Sequence, residues 1–209
     1  QLKSALDTQL MLQGEIHHRV KNNLQIIIRQ LDLQAEELDS PEAKERLESM
    51  AGRIYSIAAI HEILHQSRGE DLVNLELYIT KLCQQFKMTV GDQHITIFNH
   101  EIAPINLNLE TLMPIGIIIN ELMNNSFKYG RCNEGKLLID MRAVLENELV
   151  TITYRDSGPG YPSGEMAIKA GSLGHYLLES MTRQVNGKLT TFNEAGAAAV
   201  LSFKLSNIY

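Results

Sequence analysis

The sequence has no tryptophan, and aromatics make up only 6% of its 209 residues, so platforms for stacking unpaired bases are poorly supplied. It has two cysteines, Cys83 and Cys132, with no Cys-x-x-Cys pair and no histidine at ligand spacing. That argues against a disulfide framework or a zinc site, and both thiols are expected reduced and partly buried. Positive charge is in deficit: 19 Lys+Arg against 25 Asp+Glu give a net charge of −6, which argues against a nucleic-acid partner, since phosphates call for a basic patch. No apolar run approaches the roughly 18 residues of a membrane span, and no signal peptide opens the chain, so direct membrane contact is not expected. The opening Gln1-Leu2-Lys3 has no initiator Met and enters a helical pattern at once. It reads as a piece of a longer protein, so any sensor, membrane anchor or regulatory domain is expected outside it.

What is present is ordinary globular material, 44% hydrophobic and 21% charged. Leu6, Leu10, Gln13, His17, Val20, Leu24, Ile27, Leu31, Gln34 and Leu38 recur in steps of four and three, the pattern of a long helix with a narrow buried seam. Asp39-Ser40-Pro41 stops it, and Ser40 with Pro41 forms an N-cap and first-turn pair for a second helix. Ala43, Leu47, Met50, Ile54, Ile57, His61 and Leu64 repeat the heptad there. Residues 2 to 67 therefore read as an antiparallel helical hairpin, whose seams need a second copy to complete a four-helix bundle. Polar residues 67 to 71 mark a boundary. Beyond it the pattern predicts helices over about 75–88, 109–129 and 173–185. Strands are predicted over 94–99, 137–143, 149–156, 188–192 and 198–205, the last two as a hairpin. This mixture predicts an α+β fold: a helical hairpin followed by an α/β sandwich, a mixed sheet with helices on one face.

Three clusters carry chemistry. On the first helix, His17 and His18 stand beside Arg19 and Lys21. The heptad puts His17 on the seam and His18 at its flank, where an imidazole is able to receive a phosphoryl group whose charge Arg19 and Lys21 offset; two satisfied polar bundle residues are the bland alternative. In the helix at 109–129, Glu121, Asn125 and Lys128 fall at i, i+4 and i+7 on one face. A carboxylate, an amide and an ammonium in a row suit nucleotide phosphates and their Mg²⁺; a solvated polar face is the alternative. The third cluster is glycine-based. Asp156-Ser157-Gly158-Pro159-Gly160 ends a strand, with Asp156 able to accept from an exocyclic amine. Gly171-Ser172-Leu173-Gly174 opens a helix whose free N–H groups favour phosphate, although both stretches also suit plain turns. Tyr161 to Ala170 has the composition of a short lid. Asn125 and Asp156 are expected to face a cleft rather than the core.

Taken in this order, the clusters resemble one family. His17-His-Arg-Val-Lys-Asn-Asn-Leu-Gln25 with Leu31-Asp-Leu-Gln34 resembles the phosphoacceptor box of the HisKA_2 class of histidine kinases, related to the HWE kinases. Residues 114 to 129 resemble the N-box of a gyrase/Hsp90/kinase/MutL-type ATPase domain, and Asp156-x-Gly-x-Gly160 and Ser172-Leu-Gly174 its glycine boxes. The resemblance covers nearly the whole chain. It implies His18 as phosphoacceptor, with His17 as runner-up, and Glu121 as the acidic N-box residue. It further implies Asn125 as the Mg²⁺-binding amide and Asp156 as the adenine-reading carboxylate, with Lys128, Tyr129, Gly158, Gly160, Ser172, Leu173 and Gly174 completing the nucleotide site. Glu15 and Glu121 are both candidates for the general base. Asn120 stands where HWE kinases carry their eponymous histidine, and His175 follows Gly174 where the family usually has an apolar residue.

What the resemblance implies is a cytoplasmic sensor-kinase core: residues 1–68 for dimerisation and phosphotransfer, residues 74–209 for ATP binding. It would use ATP and Mg²⁺, form a homodimer and pass the phosphoryl group to a response-regulator receiver domain. The alternatives are a histidine phosphotransferase whose ATPase-like domain no longer binds ATP, and an ATP-driven conformational switch of the gyrase/Hsp90 type.

Overall fold

The computed structural model describes residues 2–66, 72–90, 95–129, 136–161 and 173–205. Cys132, Ser172 and most of the stretch read as a lid, residues 162–170, lie outside the described residues. By contact the chain divides into two compact units: residues 1–82 with 106–116, and residues 83–105 with 117–209. No helix among the described residues is long and apolar enough to cross a membrane.

The first unit is built on the expected hairpin, α1 (Leu2–Glu36) and α2 (Pro41–Gln66). Ser40 caps α2: its Oγ accepts the Ala43 N–H at 3.4 Å and its carbonyl accepts the Lys44 N–H at 3.0 Å, and Pro41 starts the helix, where a missing N–H costs nothing. The seam of α1 keeps a seven-residue repeat but lies on the other flank of Leu24 and Leu31 from the one expected. The inward positions are Leu24, Ile28, Leu31 and Ala35, whereas Ile27 is 42% exposed and Gln34 faces out. Packing against α2, not the apolar pattern, decides which flank of Leu24 and Leu31 is covered. Leu6, Leu10, Gln13, His17 and Leu64 belong to the expected seams, but their side chains lie outside the described set.

On α2 the expected seam residue Met50 is 43% exposed, whereas Ser56, Ala58, Ala59, Ile60 and Ile63 are buried on several faces. The cause is further packing within this unit. A two-stranded antiparallel sheet, β1 (Leu72–Asn74) with β3 (Asn106–Asn108), joins the hairpin, followed by the first turns of α3 (Leu75–Val90) and α4 (Leu109–Tyr129). These strands escaped the sequence pattern because three residues carry no measurable alternation. The buried Tyr78 hydroxyl donates to the Ser56 carbonyl at 3.0 Å, and Ser56 Oγ reaches the Gly116 carbonyl at 3.5 Å. Gly116 admits this approach because any Cβ there would overlap the Tyr78 ring.

The second unit is a five-stranded mixed sheet in the order β2-β4-β5-β7-β6. The strands are β2 (Ile95–Ile102), β4 (Lys136–Glu146), β5 (Leu149–Asp156), β6 (Lys188–Asn193) and β7 (Ala197–Lys204). The β2–β4 pair is parallel and the other three are antiparallel. Alternation sets the faces: Leu137, Ile139, Met141 and Ala143 are buried, as are Val150, Ile152, Tyr154 and Asp156, while the residues between them are less so. One face is therefore covered and the other open, as expected of an α/β sandwich. Phe86 of α3 meets Phe98 of β2 and Phe127 of α4 edge-on, with ring centroids 6.2 and 6.1 Å away, a favoured aromatic geometry. Cys83 is a free buried thiol whose pKa burial pushes up to about 12. Helix α5 (Leu173–Gln184) completes the unit.

Candidate functional site

Two sets of residues come together, one in each unit. On α1, His18 is exposed, and its Nδ1 lies 3.3 Å from the Asn22 amide nitrogen one turn on. Arg19 forks onto Glu15 Oε1 at 2.5 and 3.0 Å, so the carboxylate considered as a base is committed to an ion pair. Lys21 turns to α2, where Glu62 Oε1 lies 3.5 Å away; the same oxygen takes Lys81 of α3 at 3.2 Å. Burial pushes the Glu62 carboxyl up, but hydrogen bonds and charge from Lys81 and Lys21 outweigh it and hold it below its ordinary value.

In the second unit, Glu121 is buried at 5% exposure, Asn125 and Lys128 are half-buried, and Tyr129 is 72% exposed. The three polar residues share one face of α4 because they are spaced by whole turns. The start of α5 runs against this face, and a Cβ on Gly174 would lie 3.2 Å from Glu121 Oε2. Asn120, one residue before Glu121, is buried; its Oδ1 accepts from Asn124 Nδ2 at 3.3 Å, and its own Nδ2 finds no partner among the described residues.

Asp156 ends β5 and is 7% exposed, so its carboxylate belongs to the packed floor of the site rather than to an open cleft wall. Its Oδ1 accepts the Gly158 and Ala197 N–H groups, both at 2.9 Å, and its Oδ2 accepts the Ser126 hydroxyl at 2.5 Å. Gly196 permits the β7 approach, since a Cβ there would overlap the Asp156 carbonyl oxygen. A carboxylate has about four acceptor positions. The three donors among the described residues leave one for a further N–H. Ser126 in turn accepts from Tyr154 at 2.9 Å.

Beyond Asp156, Gly160 adopts φ +80°, and the Asn193 side chain lies beneath it. Asn193 Oδ1 accepts the Tyr161 N–H at 2.7 Å and its Nδ2 donates to the Tyr161 carbonyl at 2.9 Å, clamping the chain as it leaves the sheet. Burial, with the Asp156 charge adding to it, raises the Tyr161 phenol pKa.

Ser126, Tyr154 and Asn193 were not among the residues singled out from the sequence. Strand alternation contains the signal for Tyr154, two residues before Asp156 on the same face. Ser126 is a small polar residue in an otherwise apolar buried helix. Asn193 carries no signal, because its role depends on a turn 32 residues away in sequence.

Residues 15–90 match the HisKA_2 model, described as histidine kinase. The chain is 30% identical over 181 residues to the sensor histidine kinase PdtaS of Mycobacterium tuberculosis, covering 84% of this chain and 35% of that protein. It is 21% identical over 189 residues to blue-light-activated histidine kinase 2 of Erythrobacter litoralis, covering 88% of this chain and 53% of that protein. The solved histidine kinase domain of an Erythrobacter litoralis blue-light-activated kinase shares the fold, with a TM-score of 0.66 at 17% identity over 95% of this chain and 93% of that one. The chain spans about a third of the length of the PdtaS relatives it matches. Residues 15–90 thus match the HisKA_2 histidine-kinase model, and the chain as a whole is similar in sequence to sensor histidine kinases and has the fold of a histidine kinase domain.

Proposed function

We propose that this chain is the catalytic core of a two-component sensor histidine kinase acting in the cytoplasm. Residues 1–68 would dimerise and carry the phosphoacceptor, and residues 74–209 would bind ATP with Mg²⁺. The observation that carries the reading is Asp156, a carboxylate fixed by three donors with one acceptor position remaining, in the same unit as the Glu121, Asn125 and Lys128 face. An acceptor-only group at the floor suits the amine of adenine, and Asn125 and Lys128 suit the metal and the phosphates. Gly158, Gly160 and Gly174 let backbone approach the nucleotide, with Ser172, Leu173 and Tyr129 completing its surroundings. Mg²⁺, held by Asn125 and the phosphates, would neutralise charge on the triphosphate.

The γ-phosphoryl group passes to His18. Attack comes from the ring nitrogen that carries no proton, and Glu121, as the candidate base, takes the proton from the other ring nitrogen as the N–P bond forms and ADP leaves. A response-regulator aspartate then accepts the phosphoryl group. Exposed Ile16, Ile26 and Leu33 on α1, 60%, 55% and 61% accessible, support a homodimer through the hairpin. The phosphotransferase alternative is disfavoured because Glu121, Asn125, Asp156, Gly158 and Gly160 are all retained.

The test is incubation with γ-labelled ATP followed by acid and base treatment. Acid-labile, base-stable label is expected, and acid-stable label would sink the kinase reading. Mg²⁺·ATP that fails to stabilise the chain would favour the phosphotransferase, and binding without label the conformational switch.

A further inference from the structure

We propose that Ser126, oriented by Tyr154, is a positioning residue that fixes the acceptor face of Asp156 and so makes the site select a purine carrying a 6-amino group. The inference rests on the nucleotide-binding reading above and adds to it a determinant of base choice.

The three side chains form a chain of hydrogen bonds with one direction. Tyr154, Ser126 and Asp156 are 2%, 4% and 7% exposed, so water is largely kept from the relay. The Tyr154 hydroxyl donates to Ser126 Oγ at 2.9 Å. Burial raises the pKa of this phenol well above its ordinary value, which keeps it a donor at neutral pH. A serine hydroxyl has one proton. With the Tyr154 proton on its oxygen, Ser126 sends its own proton to Asp156 Oδ2, 2.5 Å away.

The other carboxylate oxygen is held by the N–H groups of Gly158 and Ala197 at 2.9 Å each. Donors from α4, from the turn after β5 and from β7 thus fix the plane of the carboxylate, and the remaining acceptor position lies on Oδ2. An acceptor there pairs with an amine N–H and opposes a carbonyl oxygen. A site built to hydrogen-bond one substrate group discriminates strongly against analogues lacking it, because its buried partner is left unpaired. Removing Ser126 frees Oδ2 to turn or to take water, and the reading of the amine is lost with it.

The test uses the 209-residue chain and titrates Mg²⁺·ATP and the Mg²⁺ complex of purine riboside 5′-triphosphate, which lacks the 6-amino group, by calorimetry. The parent is expected to prefer ATP. Ser126→Ala should weaken ATP roughly tenfold while the analogue stays within about twofold of its parent affinity. Ser126→Thr, which restores the hydroxyl, should keep the parent's preference. Tyr154→Phe should shift ATP in the same direction as Ser126→Ala, and it carries the test if Ser126→Ala does not fold. Unchanged ATP affinity in the alanine variant, equal weakening of both nucleotides, or a parent that binds both equally would each overturn the inference. A parent that binds neither nucleotide would overturn the nucleotide-binding reading itself, and that is seen without any variant.

Discussion

Gly174 at the start of α5 lies against Glu121 of α4: a Cβ on the glycine would stand 3.2 Å from Glu121 Oε2. Gly174→Ala gains helix propensity and loses chain entropy in the unfolded state, worth about 0.4–1 kcal/mol, while the carboxylate must shift by a few tenths of an ångström. Stability in urea is therefore expected to stay within about 1 kcal/mol of the parent. Phosphoryl incorporation is expected to fall roughly tenfold, because catalytic geometry is sensitive to small displacements. A fall in stability without a fall in labelling would separate Glu121 from the chemistry.

His18 is exposed on α1, with Asn22 engaging its Nδ1. His18→Gln should abolish incorporation of γ-phosphate and leave ATP binding intact. His17→Gln should retain labelling, since neighbouring helix positions point about 100° apart. Measured side by side, label lost only from the His17 variant would reverse the assignment.

Glu62 joins Lys21 of α1 and Lys81 of α3 through one oxygen, and its pKa is lowered from an ordinary value near 4.5. A lowered folded-state pKa means the contribution is fully present above that ordinary value and is lost as pH falls through the folded one. The group is about a third exposed, so solvent screening keeps the effect of Glu62→Gln at pH 7 below about 1 kcal/mol. Denaturant melts at neutral pH and near pH 3 check it: the gap between parent and variant should close in acid.

Ile26 and Leu33 are 55% and 61% exposed on α1, and burying what remains exposed of each in a dimer is worth about 1–2 kcal/mol. Ile26→Glu with Leu33→Glu should leave the helical signal unchanged and shift the sedimentation coefficient from dimer to monomer. A parent already monomeric at tens of micromolar, on the order of weak-dimer dissociation constants, would count against the dimer.

Much of this was legible locally. The helix at 109–129 and the strand at 149–156 were read to the residue, because strong period-3.6 and period-2 patterns are properties of consecutive side chains. The spacing of Glu121, Asn125 and Lys128 required only the helix to place them on one face. The register of the α1 seam was not legible in the same way: Ile28 and Ala35 replace Ile27 and Gln34 because packing against α2, not local pattern, decides which flank of Leu24 and Leu31 is covered.

Local chemistry was enough to set the residue types: a histidine able to carry phosphoryl, a carboxylate after a strand, glycines where backbone approaches closely. Tertiary structure alone decided what surrounds them. Asp156 is held by Ser126, 30 residues earlier, and by Ala197, 41 residues later, and Gly160 is held over Asn193. Those partners are brought together by the β5–β7 pairing and by α4 packing on the covered face of the sheet. A hydrogen bond's direction and a carboxylate's remaining acceptor position depend on all the donors around it, and sequence order does not bring those donors together.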